Sequence, residues 1–243
     1  MGLIDSWTFR EHTADGMTFP TYRKGNGPGV IVIHEIPGLT DDVIGFGDEV
    51  VEAGYTVVMP QLFGKIGGPL ALTNVVKAMS GVCVRKEFTK LATRETTPMA
   101  EWLRSLARDL HGELGGPGVG ALGMCFTGGF ALAMMVDESV AAPVLCQPSV
   151  PFPVGKTRAA DLNLSHSDLA KVRERAAAGC EVLGLRFTGD AAVGTRFDTL
   201  TTELGPAFIK VEFPGRQHST VTTHRQQEGV ERVLAFFDEK LSV

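Results

Sequence analysis

The segment "VGALGMCFTGG" (Val119–Gly129) changes character at Cys125, with an apolar run before it and a small-residue run of helical type after it. Val119 to Met124 is short and continuously apolar, the mark of a strand buried on both faces of a parallel sheet. The residues that follow, "FTGGFALAMM", read as a helix. A strand that feeds directly into a helix is half of a strand–helix–strand unit, so the flanking segments decide whether a doubly wound sheet is present.

Upstream, "GVIVIH" (29–34) and "YTVVMP" (55–60) repeat the buried-strand pattern, with one helix expected over Asp41 to Ala53 and another over about Pro98 to Leu114. Downstream, "SVAAPVLCQ" (139–147), "EVLGLRF" (181–187) and "AFIKVEFPG" (207–215) read as strands. Between them lie helices in "SHSDLAKVRERAAAG" (165–179), where Ser165 and Asp168 stand as a cap, and "FDTLTTELG" (197–205). "TTHRQQEGVERVLAFFDEKL" (222–241) is a closing amphipathic helix. Near the start, "SWTFREH" and "MTFPTYRKG" flank Asp15-Gly16, which predicts an antiparallel hairpin at a sheet edge. The alternation predicts an α/β fold: a mostly parallel central sheet, helices on both faces, the antiparallel N-terminal hairpin, and a single domain over residues 1–243. The stretch from Phe63 to Thr97 is the least regular and is a candidate lid.

Lys+Arg 23 against Asp+Glu 28 gives a net charge of -5, and no basic block stands out, which argues against nucleic acid as a partner. Neither a basic leader nor an apolar run long enough to span a bilayer is present, so the expectation is a cytoplasmic protein without membrane contact. Cys83, Cys125, Cys146 and Cys180 are far apart and form no CxxC pair, so free thiols are expected and neither a metal nor another cofactor is implied. Nothing in the sequence fixes the oligomeric state.

In open parallel sheets, ligands bind beyond the carboxyl ends of the strands, which raises the interest of residues just after a strand. Cys125 is such a residue, at a sharp turn and a helix start, where backbone N–H groups favour a reactive thiol and offer donors to an oxyanion. The spacing resembles the G-x-S-x-G elbow with Cys for Ser, except that Thr127 stands where a small residue belongs and the glycines come at 128 and 129. A nucleophile of this type is served by an acid and then a histidine on later loops. Asp190 follows one strand and His218 the next, in that order. Asp198 competes for the acid but reads as helical, and His12, His111, His166 and His224 fall in a hairpin or helices. His34 ends a central strand and is placed to orient a loop. That loop, "HEIPGLT" (34–40), puts the backbone N–H of Ile36 beside that of Phe126 as an oxyanion hole, and Glu35 near Cys125.

With "HEIPGL", "GMCFTGG", "GDAAV" and "GRQHS" in this order, the chain resembles the dienelactone hydrolase family of α/β-hydrolases over nearly its whole length. The resemblance implies an α/β-hydrolase fold with Cys125 as nucleophile, His218 as base and Asp190 as its orienter, Asp190 and Val193 matching the family's Asp-x-x-Val spacing. It also implies that Glu35 holds the resting thiol and is displaced when substrate binds. The places of two arginines that bind a substrate carboxylate hold Lys65 and Thr222, so the acidic substrate does not carry over; Arg85 or Arg225 are possible substitutes. The expected activity is hydrolysis of small carboxylic esters or lactones through an acyl-thiol intermediate, with Lys65 binding substrate. A thioesterase or carboxylesterase with a larger acyl pocket is the first alternative, and a catalytically weak binding or redox-sensing protein the second.

Overall fold

The computed structural model describes residues 2–67 and 94–242. The proposed lid, Arg85 and Cys83 lie wholly or mostly outside these residues. Ten strands are formed by the described residues: β1 (Thr8–Ala14), β2 (Met17–Lys24), β3 (Gly29–Ile33), β4 (Gly38–Leu39), β5 (Thr56–Pro60), β6 (Lys65–Ile66), β7 (Val119–Met124), β8 (Val140–Cys146), β9 (Val182–Phe187) and β10 (Phe208–Phe213). Eight of them make one sheet in the order β1-β2-β5-β3-β7-β8-β9-β10, while β4 and β6 pair separately. The β1–β2 and β2–β5 pairs are antiparallel and the other pairs of the large sheet are parallel, so the expected edge hairpin on a parallel sheet is present.

Side-chain alternation along the strands feeds two cores. Ile31 and Ile33 of β3 enter one and Val30 and Val32 the other, all fully buried. The first core is closed by α2 (Pro98–Leu114), α3 (Gly128–Met134), α5 (His166–Ala177) and α6 (Arg196–Leu204), the second by α1 (Asp41–Glu52) and α7 (Gln227–Leu241); a short α4 (Gly155–Ala160) lies between β8 and α5. From β3 the chain crosses to β5 on one side and later returns to β7 on the other, so the strand order reverses at β3/β7. Glu35 and Cys125 follow the carboxyl ends of β3 and β7 at this switch point, the place where open parallel sheets bind ligands.

Of two expectations on helix starts, the cap at Ser165 is met and the start of the closing helix is corrected. Ser165 Oγ accepts the Asp168 N–H (3.1 Å), but the Asp168 carboxylate does not reach back to complete the box. It accepts instead from Thr96 Oγ1 (2.6 Å) and Arg104 Nη2 (2.7 Å), and Thr96 Oγ1 takes the Ser165 N–H. The closing helix begins at Gln227 rather than Thr222, which leaves His224 in a turn, because the hydroxyls of Thr220 and Thr222 are engaged by Gln147 and Glu35.

Candidate active site

Cys125 sits at the tip of a turn with φ +53°, opening a short 3-10 turn (Cys125–Thr127) that runs into α3. A non-glycine residue in the left-handed region costs on the order of 1–3 kcal/mol, and the surroundings hold it there. At Gly123 a Cβ would stand 2.2 Å from the Thr127 carbonyl oxygen, so only glycine permits the turn to close back on β7. The departure at Thr127 has a structural reason. Its buried Oγ1 accepts the Met124 N–H (3.1 Å), while its own proton lies within reach of the carbonyls of Ile33 and His34 (both 3.1 Å). Thr127 thus points beneath the turn and ties the ends of β3 and β7 together, away from the space above the thiol.

The acid and histidine loops leave the neighbouring strands β9 and β10, and a Gly189 N–H to Gly215 carbonyl bond (2.8 Å) joins them. Asp190 is buried; its Oδ1 accepts the Ala192 N–H (3.0 Å), and Val193 is plugged into the core, which accounts for the Asp-x-x-Val spacing. His218 Nδ1 donates to Asp190 Oδ2 at 2.6 Å. That leaves Nε2 free of Asp190, and Cys125 acts on the ring by raising its pKa. Burial works against the imidazolium, but Asp190 and Cys125 and their negative charges outweigh it and raise the His218 pKa to about 10. Asp198 is exposed on the first turn of α6, removed from this arrangement.

His34 and Glu35 leave β3 together. The fully buried His34 donates from Nδ1 to the Glu35 carbonyl (3.0 Å) and accepts the Leu62 N–H at Nε2 (3.1 Å). Burial lowers its pKa to about 4, with the backbone bond opposing, so it stays neutral and orients the loop as expected. The Glu35 carboxylate does not hydrogen-bond the thiol, contrary to expectation. It accepts from Ser219 Oγ (2.8 Å) and from Thr222 Oγ1. Burial pushes its pKa up, and the Thr222 and Ser219 hydroxyls hold it down in part. Thr222, noticed in the sequence only for the missing arginine, is thereby a partner of Glu35. The polar neighbour of the thiol beside His218 is Ser149, at 3.4 Å, and nothing in "CQPSV" points to it.

Lys65 is exposed on β6, whose pairing with β4 holds it against the loop that carries Ile36, and its ammonium has no ion pair among the described residues. Arg225 is not a substitute cation, because Glu49 takes its guanidinium in a two-pronged pair (2.7 and 2.6 Å). Behind the acid loop, the buried guanidinium of Arg196 donates to the carbonyls of Asp161 (2.9 Å), Val193 (2.8 Å), Ala192 (3.2 Å), Arg158 (3.0 Å) and Pro151.

Residues 16–167 match the model of the dienelactone hydrolase family, which is more than half of the chain. The chain belongs to the dienelactone hydrolase family. The match takes in Glu35, Cys125 and Ser149 but ends before Asp190 and His218, so the family's sequence pattern and the loop geometry bear on different parts of the site. A Saccharomyces cerevisiae protein named "Putative carboxymethylenebutenolidase" is 30% identical over 122 residues, which span 49% of this chain and 42% of that protein. This chain therefore spans less than half the length of that curated relative. Among solved structures, a dienelactone hydrolase-like promiscuous phosphotriesterase from metagenomic libraries superposes with a TM-score of 0.67 at 15% identity, covering 98% of this chain and 100% of that one. A cold-adapted esterase from an Arctic intertidal metagenomic library gives 0.62 at 15% identity over 96% and 93%. The likeness confirms the α/β-hydrolase fold. No helix among the described residues is long and apolar enough to cross a membrane.

Proposed function

We propose that the chain is a single-domain hydrolase of small carboxylic esters or lactones that works through an acyl-thiol intermediate on Cys125. The observation that carries this reading is the His218–Asp190 hydrogen bond, with Cys125 the second group that raises the His218 pKa, at the switch point of the sheet. With the proton already held by His218, whose pKa is raised, the sulfur attacks the carbonyl carbon and the tetrahedral oxygen takes up the negative charge. Backbone N–H groups of Ile36 and Phe126, in the loops after β3 and β7, are the donors for that oxygen. His218 then protonates the leaving alkoxide, and the thioester remains. In the second half His218 takes a proton from water, the hydroxide adds to the thioester, and the collapse returns the carboxylic acid and the thiol. Glu35, held away from the sulfur by Ser219 and Thr222, sets the electrostatic background of the thiol. The free thiols of Cys125, Cys146 and Cys180 fit a reducing compartment and a cytoplasmic location.

A chromogenic short-chain ester tests the reading directly. Turnover is expected, and rapid acid quenching is expected to trap the acyl group on the peptide containing Cys125; turnover with the acyl group elsewhere would remove the thiol mechanism. Lys65 supplies one unshared charge on the loop pair beside Ile36, worth ~1–3 kcal/mol to a substrate carboxylate, or at most about a hundredfold. For a matched pair of esters with and without a distal carboxylate, the preference for the acid in kcat/KM is expected to stay below that limit and to disappear in Lys65→Met. A preference that survives the substitution assigns carboxylate recognition to another cation.

A further inference from the structure

The loop that follows β8 folds back over Cys125. Gln147 takes the left-handed conformation (φ +37°), and the Ser149 N–H donates to the Cys125 carbonyl at 3.0 Å, pinning the loop to the turn by its backbone. The approach is close: a Cβ at Gly128 would stand 2.7 Å from Pro148 Cα, which explains glycine at the start of α3. The Ser149 side chain ends up almost wholly buried, with Oγ 3.4 Å from the Cys125 sulfur and no other hydrogen-bond partner among the described residues. The sulfur is thus flanked by two polar groups, the His218 ring and the Ser149 hydroxyl.

We propose that Ser149 is a positioning residue whose O–H donates to the Cys125 sulfur, fixing it toward His218 and stabilising it when it carries charge. The direction follows from counting protons. The sulfur's proton goes to His218, the hydroxyl has one proton and no competing acceptor, and a donor to a charged acceptor is roughly twice as strong as a neutral one. The bond is strong for free thiolate and weak for an acylated sulfur. Ser149 therefore eases departure of the thiolate when the acyl intermediate breaks down. This inference rests on the proposed role of Cys125, yet its test does not need ester turnover.

The test is the rate of Cys125 alkylation by iodoacetamide as a function of pH, read by mass spectrometry on the Cys125 peptide, in wild type, Ser149→Ala and Ser149→Thr. The backbone anchor survives the alanine substitution, so melting temperature should change little. Alkylation of Ser149→Ala is expected to fall about tenfold at neutral pH, with its profile displaced upward by about one pH unit. The alkaline plateau should be unchanged or higher, because a more basic thiolate is the stronger nucleophile. Ser149→Thr, which keeps the hydroxyl, should restore the wild-type profile. An unchanged profile, a plateau that falls along with the neutral rate, or a displacement to lower pH would overturn the proposal: the last would mean that the hydroxyl accepts the thiol proton. Ester turnover surviving in Cys125→Ala would remove the proposed function while leaving the alkylation result readable.

Discussion

Cys125→Ala is expected to lose at least ~10³-fold in kcat/KM on ester substrates while keeping its fold. The proposed nucleophile disappears, but the turn that held it does not depend on the sulfur: Gly123, the Thr127 hydroxyl and the Ser149 N–H to the Cys125 carbonyl remain. A smaller side chain at φ +53° adds no clash. Cys125→Ser should recover little of the loss, since a hydroxyl placed for a thiolate stays protonated. Circular dichroism and a chromogenic ester assay check both statements together. An alanine variant with near wild-type turnover would return Cys125 to the role of a half-buried small residue.

For Asp190→Asn the expected loss is about 10⁴-fold, and the reason is a tautomer. Asp190 Oδ1 accepts the Ala192 N–H, and an asparagine oxygen would keep that bond, turning its NH2 toward His218. The ring would then accept at Nδ1 and carry its proton on Nε2, the nitrogen that faces the sulfur, where it can no longer receive one. Asp198→Asn, on the exposed turn of α6, should leave the rate almost unchanged and serves as the control. The same substitution has a pH signature. The His218 pKa is raised from 6.5 to about 10, so its contribution to stability is complete below about 6.5 and is lost as pH climbs through about 10. The melting-temperature gap between wild type and Asp190→Asn should accordingly narrow over that interval. A gap that widens with pH would contradict the assignment of the pair.

What the sequence discloses divides along a physical line. Strands, helix ends and the order Cys125, Asp190, His218 depend on local pattern: Pro98 and Gly115 bracket α2 because proline suits a helix start and glycine its end, and the observed bounds agree. Asp190 and His218 stand out as candidates because each lies in the loop behind one of two successive strands. Side chains that act across separate loops leave no such trace. Thr127 looked like a flaw in a motif, since its three neighbours on β3 and β7 come together only in the folded sheet. Thr222 registered as an absent arginine, and its bond to Glu35 joins residues far apart in the chain. Glu35 itself was placed on the thiol by resemblance, whereas two hydroxyls from the histidine loop hold it elsewhere.

Arg196 constrains how this site can diverge. One guanidinium grips carbonyls of Ala192 and Val193 on the loop after β9, of Pro151 in the segment after Ser149, and of Arg158 and Asp161. These stretches are spliced into a single unit by a side chain that forms no ion pair among the described residues, and five carbonyls would each lose a donor if it were removed. A change of length between Pro151 and Asp161 therefore pulls, through Arg196, on the loop that carries Asp190. The two loops thus move as one body, and a graft that replaces either of them has to carry Arg196 and the other along with it.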